Sequence, residues 1–182
     1  MNLFNTEERS ELTIRNFDLQ QAEVILYEHF FTKQESDLLY QRLMDTIIWQ
    51  QDHINLFGKI VNLPRLTAWY GDKSYSYSGI TMPVRIWTQD LLTIKLRIEQ
   101  YINAKFTGVL LNYYRNGNDS VSWHADDEKE LGTNPVIASV SFGATRTFRM
   151  RHKTDKNLKK FSIPLSHGSL LLMKGNTQHF WE

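Results

Sequence analysis

From Gly108 onward the chain is a succession of short runs rich in β-branched and aromatic residues, broken by turn formers. Residues 109–114 run into the turn Asn116-Gly117-Asn118-Asp119, and residues 121–126, 136–142, 146–151, 161–165 and 169–173 follow with short connections. Connections this short suit antiparallel pairing, since parallel strands need a crossover of a dozen or more residues. The second half of the molecule is therefore expected to be a rolled antiparallel sheet or sandwich.

The first half reads differently. Residues 24–27 suit a short strand. Thr32 and Glu35 then have capping-box spacing, in which hydroxyl and carboxylate satisfy reciprocal backbone donors. Leu38, Leu39, Leu43 and Ile47 follow at helical spacing, and a second helix fits residues 88–103 through Leu91, Leu92, Lys95, Ile98 and Ile102. Helices first and strands later make an α+β domain, and a double-stranded β-helix (jelly roll) buttressed by two helices of the N-terminal half satisfies this order. Residues 1–20 are polar and expected to be partly loose, and residues 21–182 are expected to form one domain, a size that buries a real core.

Composition narrows the chemistry. With no cysteine, disulfides and thiolate metal sites are excluded. A net charge of +1 gives no global nucleic-acid signature, so any such role must rest on local sites. Aromatics at 13% are generous enough to serve the core or to stack on bases. No run approaches the ~20 apolar residues of a membrane span, and the opening MNLFNTEERSELT lacks a secretory layout. A cytoplasmic monomer away from membranes is the expectation.

The chemistry-bearing segment is Trp123-His124-Ala125-Asp126-Asp127-Glu128. On an extended backbone His124 and Asp126 face the same way and offer a nitrogen and an oxygen to one point. That is two-thirds of the 2-His-1-carboxylate set that holds non-haem Fe(II). A bare His-x-Asp is common by chance, so its surroundings matter. His29, His53, His152 and His167 show no ligand spacing. Asn112 and Tyr114 are alternatively plain strand residues, Asp127 and Glu128 the start of a solvated acidic loop, and Phe57 a core residue.

Leu111-Asn112-Tyr113-Tyr114-Arg115, Ser122-Trp123-His124-Ala125-Asp126-Asp127-Glu128, Ala138-Ser139-Val140-Ser141-Phe142-Gly143-Ala144-Thr145-Arg146-Thr147-Phe148 and His167-Gly168-Ser169-Leu170-Leu171 occur in that order. Together they resemble the AlkB family of Fe(II)/2-oxoglutarate-dependent dioxygenases, in its animal-type DNA repair branch, over roughly residues 55–182. The resemblance implies that His124 and Asp126 bind iron, and that Asn112 and Tyr114, with Leu110 nearby, hold 2-oxoglutarate. It implies that Asp127 and Glu128 face the alkylated base. Phe57 matches a wedge that fills the gap left by a flipped base. Tyr75 and Tyr77 match lid aromatics, and Arg65, with Lys59, would meet phosphates.

The implied reaction is oxidative demethylation of 1-methyladenine and 3-methylcytosine in DNA, with RNA as a further substrate, using Fe(II), O2 and 2-oxoglutarate. In the family the second metal histidine lies in an aromatic-x-His segment, followed by arginines that anchor 2-oxoglutarate. Aligned on Thr177-Gln178-His179-Phe180-Trp181-Glu182, that histidine falls just after Glu182. The expectation is thus a C-terminally truncated family domain lacking its last strand or strands, with His179 a substitute ligand only after a register shift. Two other readings stand beside it: a non-catalytic nucleic-acid-binding jelly roll, and a 2-oxoglutarate dioxygenase acting on protein or small molecules.

Overall fold

The computed structural model describes residues 11–56, 58–77 and 80–182. In chain order the elements are β1 (Thr13–Leu19), β2 (Ala22–Glu28), α1 (Lys33–Thr46), β3 (His53–Leu56), β4 (Lys59–Asn62), β5 (Leu66–Gly71), β6 (Tyr75–Tyr77) and β7 (Ile80–Met82). There follow α2 (Gln89–Tyr101), β8 (Gly108–Tyr113), β9 (Ile137–Ser141), β10 (Arg146–Met150), β11 (Phe161–Leu165), β12 (Ser169–Lys174) and α3 (Thr177–Phe180). The described strand pairs are all antiparallel. Two compact units emerge: one takes the chain up to Arg42 and Trp123–Glu182, the other Leu43–Ser122.

The first unit is built on a sheet of order β1-β2-β12-β9. Val24 and Leu26 from β2 and Leu171 and Met173 from β12 pack with Met150, Ile163 and Leu165 of the β10–β11 hairpin, and Trp181 joins them. Burying each such side chain stabilises by about 1.5–3 kcal/mol. β12 is buried on both faces, with Leu170 and Leu172 opposite Leu171 and Met173, which explains its unbroken apolar sequence. The residues before Ala22 differ from expectation, because Thr13–Leu19 is a full strand registered against β2. As an edge strand it carries polar groups at its exposed positions other than Ile14, which hid its periodicity.

α1 begins as its sequence dictates. The Thr32 N–H donates to Glu35 Oε2 (2.8 Å) and the Glu35 N–H to Thr32 Oγ1 (3.2 Å). Its first turns abut the β11–β12 turn, where Gly168 has φ +78° and a Cβ would strike Ser36 Oγ and the Phe31 carbonyl. His167 reinforces the junction, its Nδ1 accepting from the Gly143 N–H (2.8 Å) and its Nε2 lying 3.1 Å from Asp37 Oδ1. It is a packing residue, as its place before Gly168 suggests.

In the second unit β5 and β8 form a two-stranded ladder from Leu66↔Tyr113 to Gly71↔Gly108. The Trp69 ring lies where a Cβ of residue 108 would sit, so only glycine fits there. α2 starts at Thr88, whose side chain accepts from the Leu91 N–H, and buries Leu91, Ile94 and Ile98. β3 and β4 make a hairpin whose outer strand leaves Ile60 74% exposed.

Candidate functional site

The expected strand over residues 121–126 does not form; the segment is irregular. The backbone donors with acceptors at this point bond to a loop carbonyl and a side chain, without a ladder. The neighbouring Ser120 N–H donates to the Pro64 carbonyl (2.9 Å), and the Asp126 N–H donates to Gln178 Oε1 (2.9 Å). Convergence of the His-x-Asp pair nonetheless holds, with His124 Nε2 3.8 Å from Asp126 Oδ1. Strand alternation is therefore not what turns these two side chains toward each other.

Imidazole nitrogens and carboxylate oxygens bind divalent first-row ions at about 2.0–2.2 Å, so donors at this separation can share one ion. Burial pushes the Asp126 carboxyl above the usual carboxylate range; His124 opposes that shift and Asp127 adds to it. A cation between the two donors would relieve the same strain. The donor pair thus fits a divalent metal. No group of three metal-ligating side chains forms among the described residues. His179 is exposed on α3, its N–H donating to the Asn176 carbonyl (3.0 Å).

Around the pair, buried Gln178 holds the backbone at Asp126. Lys153 Nζ donates to Asp127 Oδ2 (2.8 Å) and to the Gln178 carbonyl (2.7 Å), tying the acidic segment to α3. Glu128 Oε2 is shielded from solvent and has no hydrogen-bond partner among the described residues. A buried acceptor left unmatched costs about 1–3 kcal/mol. Trp123 beside His124 is covered by the Arg151 guanidinium, 4.5 Å from its centroid.

In the second unit, β8 carries Leu110 and Asn112 on one face by alternation, and Tyr114 follows one residue past the strand end. Thr67 pairs with Asn112 across the ladder. Arg65, expected as a phosphate-facing surface charge, is instead only 4% exposed. Its Nε donates to Asn112 Oδ1 (2.8 Å). The sequence hid this because Arg65 and Asn112 are 47 residues apart and meet only through the β5–β8 register. Lys59 is exposed on β4. Phe57 lies outside the described residues, as do the side chains of Tyr75 and Tyr77.

Gln178 and Lys153 escaped the sequence reading. Gln178 carried the one usable signal, a buried-strand neighbour with a polar side chain just past β12; Lys153 carried none.

Residues 23–182 match the family described as the 2OG-Fe(II) oxygenase superfamily. Over 169 residues the chain is 44% identical to alpha-ketoglutarate-dependent dioxygenase alkB homolog 3 of Rattus norvegicus, a match covering 88% of this chain and 57% of that protein. The Homo sapiens protein of the same name is also 44% identical, with 59% of it covered. DNA oxidative demethylase ALKBH2 of Mus musculus is 34% identical over 166 residues, covering 85% of this chain and 70% of that protein. The chain thus spans less than two thirds of the alkB homolog 3 proteins it matches. A family match over residues 23–182, with identities of 34–44% over 166–169 residues, means that the chain belongs to the 2OG-Fe(II) oxygenase superfamily and is AlkB-like.

Proposed function

We propose that this protein demethylates N-alkylated bases, 1-methyladenine and 3-methylcytosine, in DNA and also in RNA. The observation that carries the reading is the approach of His124 Nε2 to Asp126 Oδ1 within a chain matched to this superfamily. His124 and Asp126 would hold Fe(II), and Asn112 and Tyr114 would donate to 2-oxoglutarate, with Leu110 as an apolar wall beside them. Bound together, iron, 2-oxoglutarate and O2 supply oxidation of an N-methyl to an N-hydroxymethyl group, which leaves as formaldehyde while succinate and carbon dioxide form. The sheet β1-β2-β12-β9 and the β10–β11 hairpin would be the two layers of a double-stranded β-helix.

The residues of the chain do the recognition. Glu128 Oε2, buried and unmatched, would accept from an exocyclic amine, and a carboxylate also favours the positive charge of a ring methylated on its pairing edge. Asp127 would add to that negative field while Lys153 holds its position. The β3–β4 hairpin exposes Ile60 and Val61, and inserting apolar groups such as these or Phe57 would offset part of the few kcal/mol that base extrusion costs. Tyr75 and Tyr77 would cover the extruded base.

The test incubates the protein with Fe(II), 2-oxoglutarate and an oligonucleotide carrying 3-methylcytosine. Formaldehyde and succinate in equal amounts are expected, and neither with His124→Ala. A second reading, a nucleic-acid-binding domain without turnover, is favoured by the lack of a third metal-ligating side chain near the pair among the described residues. Oligonucleotide binding with no formaldehyde would establish it and sink the first.

A further inference from the structure

Arg65 presents an unusual arrangement: a permanent cation only 4% exposed, whose guanidinium has one hydrogen bond, to an amide, and no carboxylate partner among the described residues. Burying a charge without an opposite charge is costly, and proteins keep such a group where something supplies the counter-charge. Its single partner, Asn112, is itself exposed.

The chemistry of that bond fixes which way Asn112 faces. Arginine has five N–H donors and no acceptor, so the Asn112 atom 2.8 Å from Nε must be the amide oxygen. The two Nδ2 hydrogens therefore turn away from Arg65, toward the exposed side of β8. Directly across the ladder lies Thr67, fully buried and hydrogen-bonded to Asp52, so it does not compete for Asn112. The result is an outward-facing pair of N–H donors with a fixed positive charge beneath them. An anion at Asn112 would meet charge-assisted donors and supply the counter-charge that Arg65 lacks.

We propose that Arg65 is the positioning residue of the co-substrate site: it locks the Asn112 amide with its donors outward and makes that face specific for a carboxylate, that of 2-oxoglutarate. The proposal rests on the functional reading above, in which Asn112 contacts the co-substrate. Lysine at this position keeps the charge but cannot reproduce the planar Nε geometry, whereas glutamine can donate to Asn112 but carries no charge. The two variants thus separate amide locking from charge.

The experiment titrates the protein, loaded with Mn(II), with 2-oxoglutarate, succinate and inorganic phosphate by calorimetry, for wild type, Arg65→Gln and Arg65→Lys. Mn(II) affinity, thermal midpoint and the Asn112 side-chain amide signal in nitrogen-15 spectra are followed alongside. Weakening of 2-oxoglutarate binding by about tenfold or more in Arg65→Gln, with Mn(II) affinity unchanged and the amide signal shifted in Arg65→Lys, supports the proposal. In turnover assays it should appear as a raised KM for 2-oxoglutarate with kcat preserved. Wild-type binding of 2-oxoglutarate that both variants retain within twofold overturns the role of Arg65 and leaves the functional reading standing. Succinate binding that depends on Arg65, with no uptake of 2-oxoglutarate, overturns the functional reading and keeps the carboxylate site, whereas phosphate binding without either carboxylate overturns the carboxylate specificity as well. Binding of none of the three anions overturns both. If Arg65→Gln lowers the thermal midpoint too far to titrate, Arg65→Lys alone decides the matter by the same comparison.

Discussion

Asn112 sits on a strand whose residues are paired from end to end with β5, while Asp126 sits on a segment with no ladder at all. In the first region the register selects the face: Thr67 opposes Asn112, and the backbone needs no help from side chains to place it. In the second, side chains do the placing. Gln178 takes the Asp126 N–H, and Lys153 ties Asp127 to the carbonyl of Gln178. A ladder spreads the load over many equivalent bonds, whereas a tether concentrates it in one or two. The first arrangement should keep its backbone placement through single side-chain substitutions and the second should not.

Asp126→Ala is expected to have the largest effect, lowering Mn(II) affinity in calorimetric titration by more than the about 10–100-fold that loss of an outer hydrogen-bond partner costs. Unchanged affinity would mean the ion is not held at this pair. Gln178→Ala should fall within that about 10–100-fold range while His124 and Asp126 remain in place. Affinity equal to wild type would show that residues 122–128 keep their shape untethered, and the contrast between the two regions would collapse.

Asn112→Leu sharpens the contrast from the other side. It leaves Arg65 Nε unpaired, a loss of about 1–3 kcal/mol in denaturant unfolding, without altering Mn(II) affinity. A change in metal affinity of the same size as for Gln178→Ala would mean that the two regions are not separable. The smallest effect is expected at Glu99, where a side chain again holds a backbone N–H. Burial pushes its carboxyl up, but the Phe106 N–H, with Lys105 and Lys95, outweighs this and holds it below the usual glutamate range. A depressed folded-state pKa contributes stability that is present above the ordinary glutamate value and lost as pH falls through the lowered one. Between neutral pH and pH about 3 the wild type should therefore lose more stability than Glu99→Gln, as read by thermal midpoints. Parallel curves would show that this tether contributes nothing.

What the sequence revealed follows the same division. The capping box at Thr32 and Glu35, the runs that became β8 to β12, and α2 with its Thr88 cap are local patterns, and each appears where its periodicity places it. β1 was missed because an edge strand need not bury alternate residues. Residues 121–126 read as a strand from their composition, yet no neighbour offers them a ladder. Gln178 and Arg65 act across 52 and 47 residues respectively, and no local pattern encodes such partners. The His124–Asp126 pair was legible as chemistry, but the means of its placement was not.

The tether from Gln178 also sets an order of events in folding. β5 and β8 belong to one unit and close a modest loop, so their ladder can form from nearby chain. β12 pairs with β2 across most of the sequence, a closure that is slow for any chain. Until β12 and the short α3 behind it are seated, Gln178 has no fixed position from which to reach Asp126. During synthesis the Asn112 strand can thus take its final form early, while the His124–Asp126 pair waits for β12 and α3 to emerge.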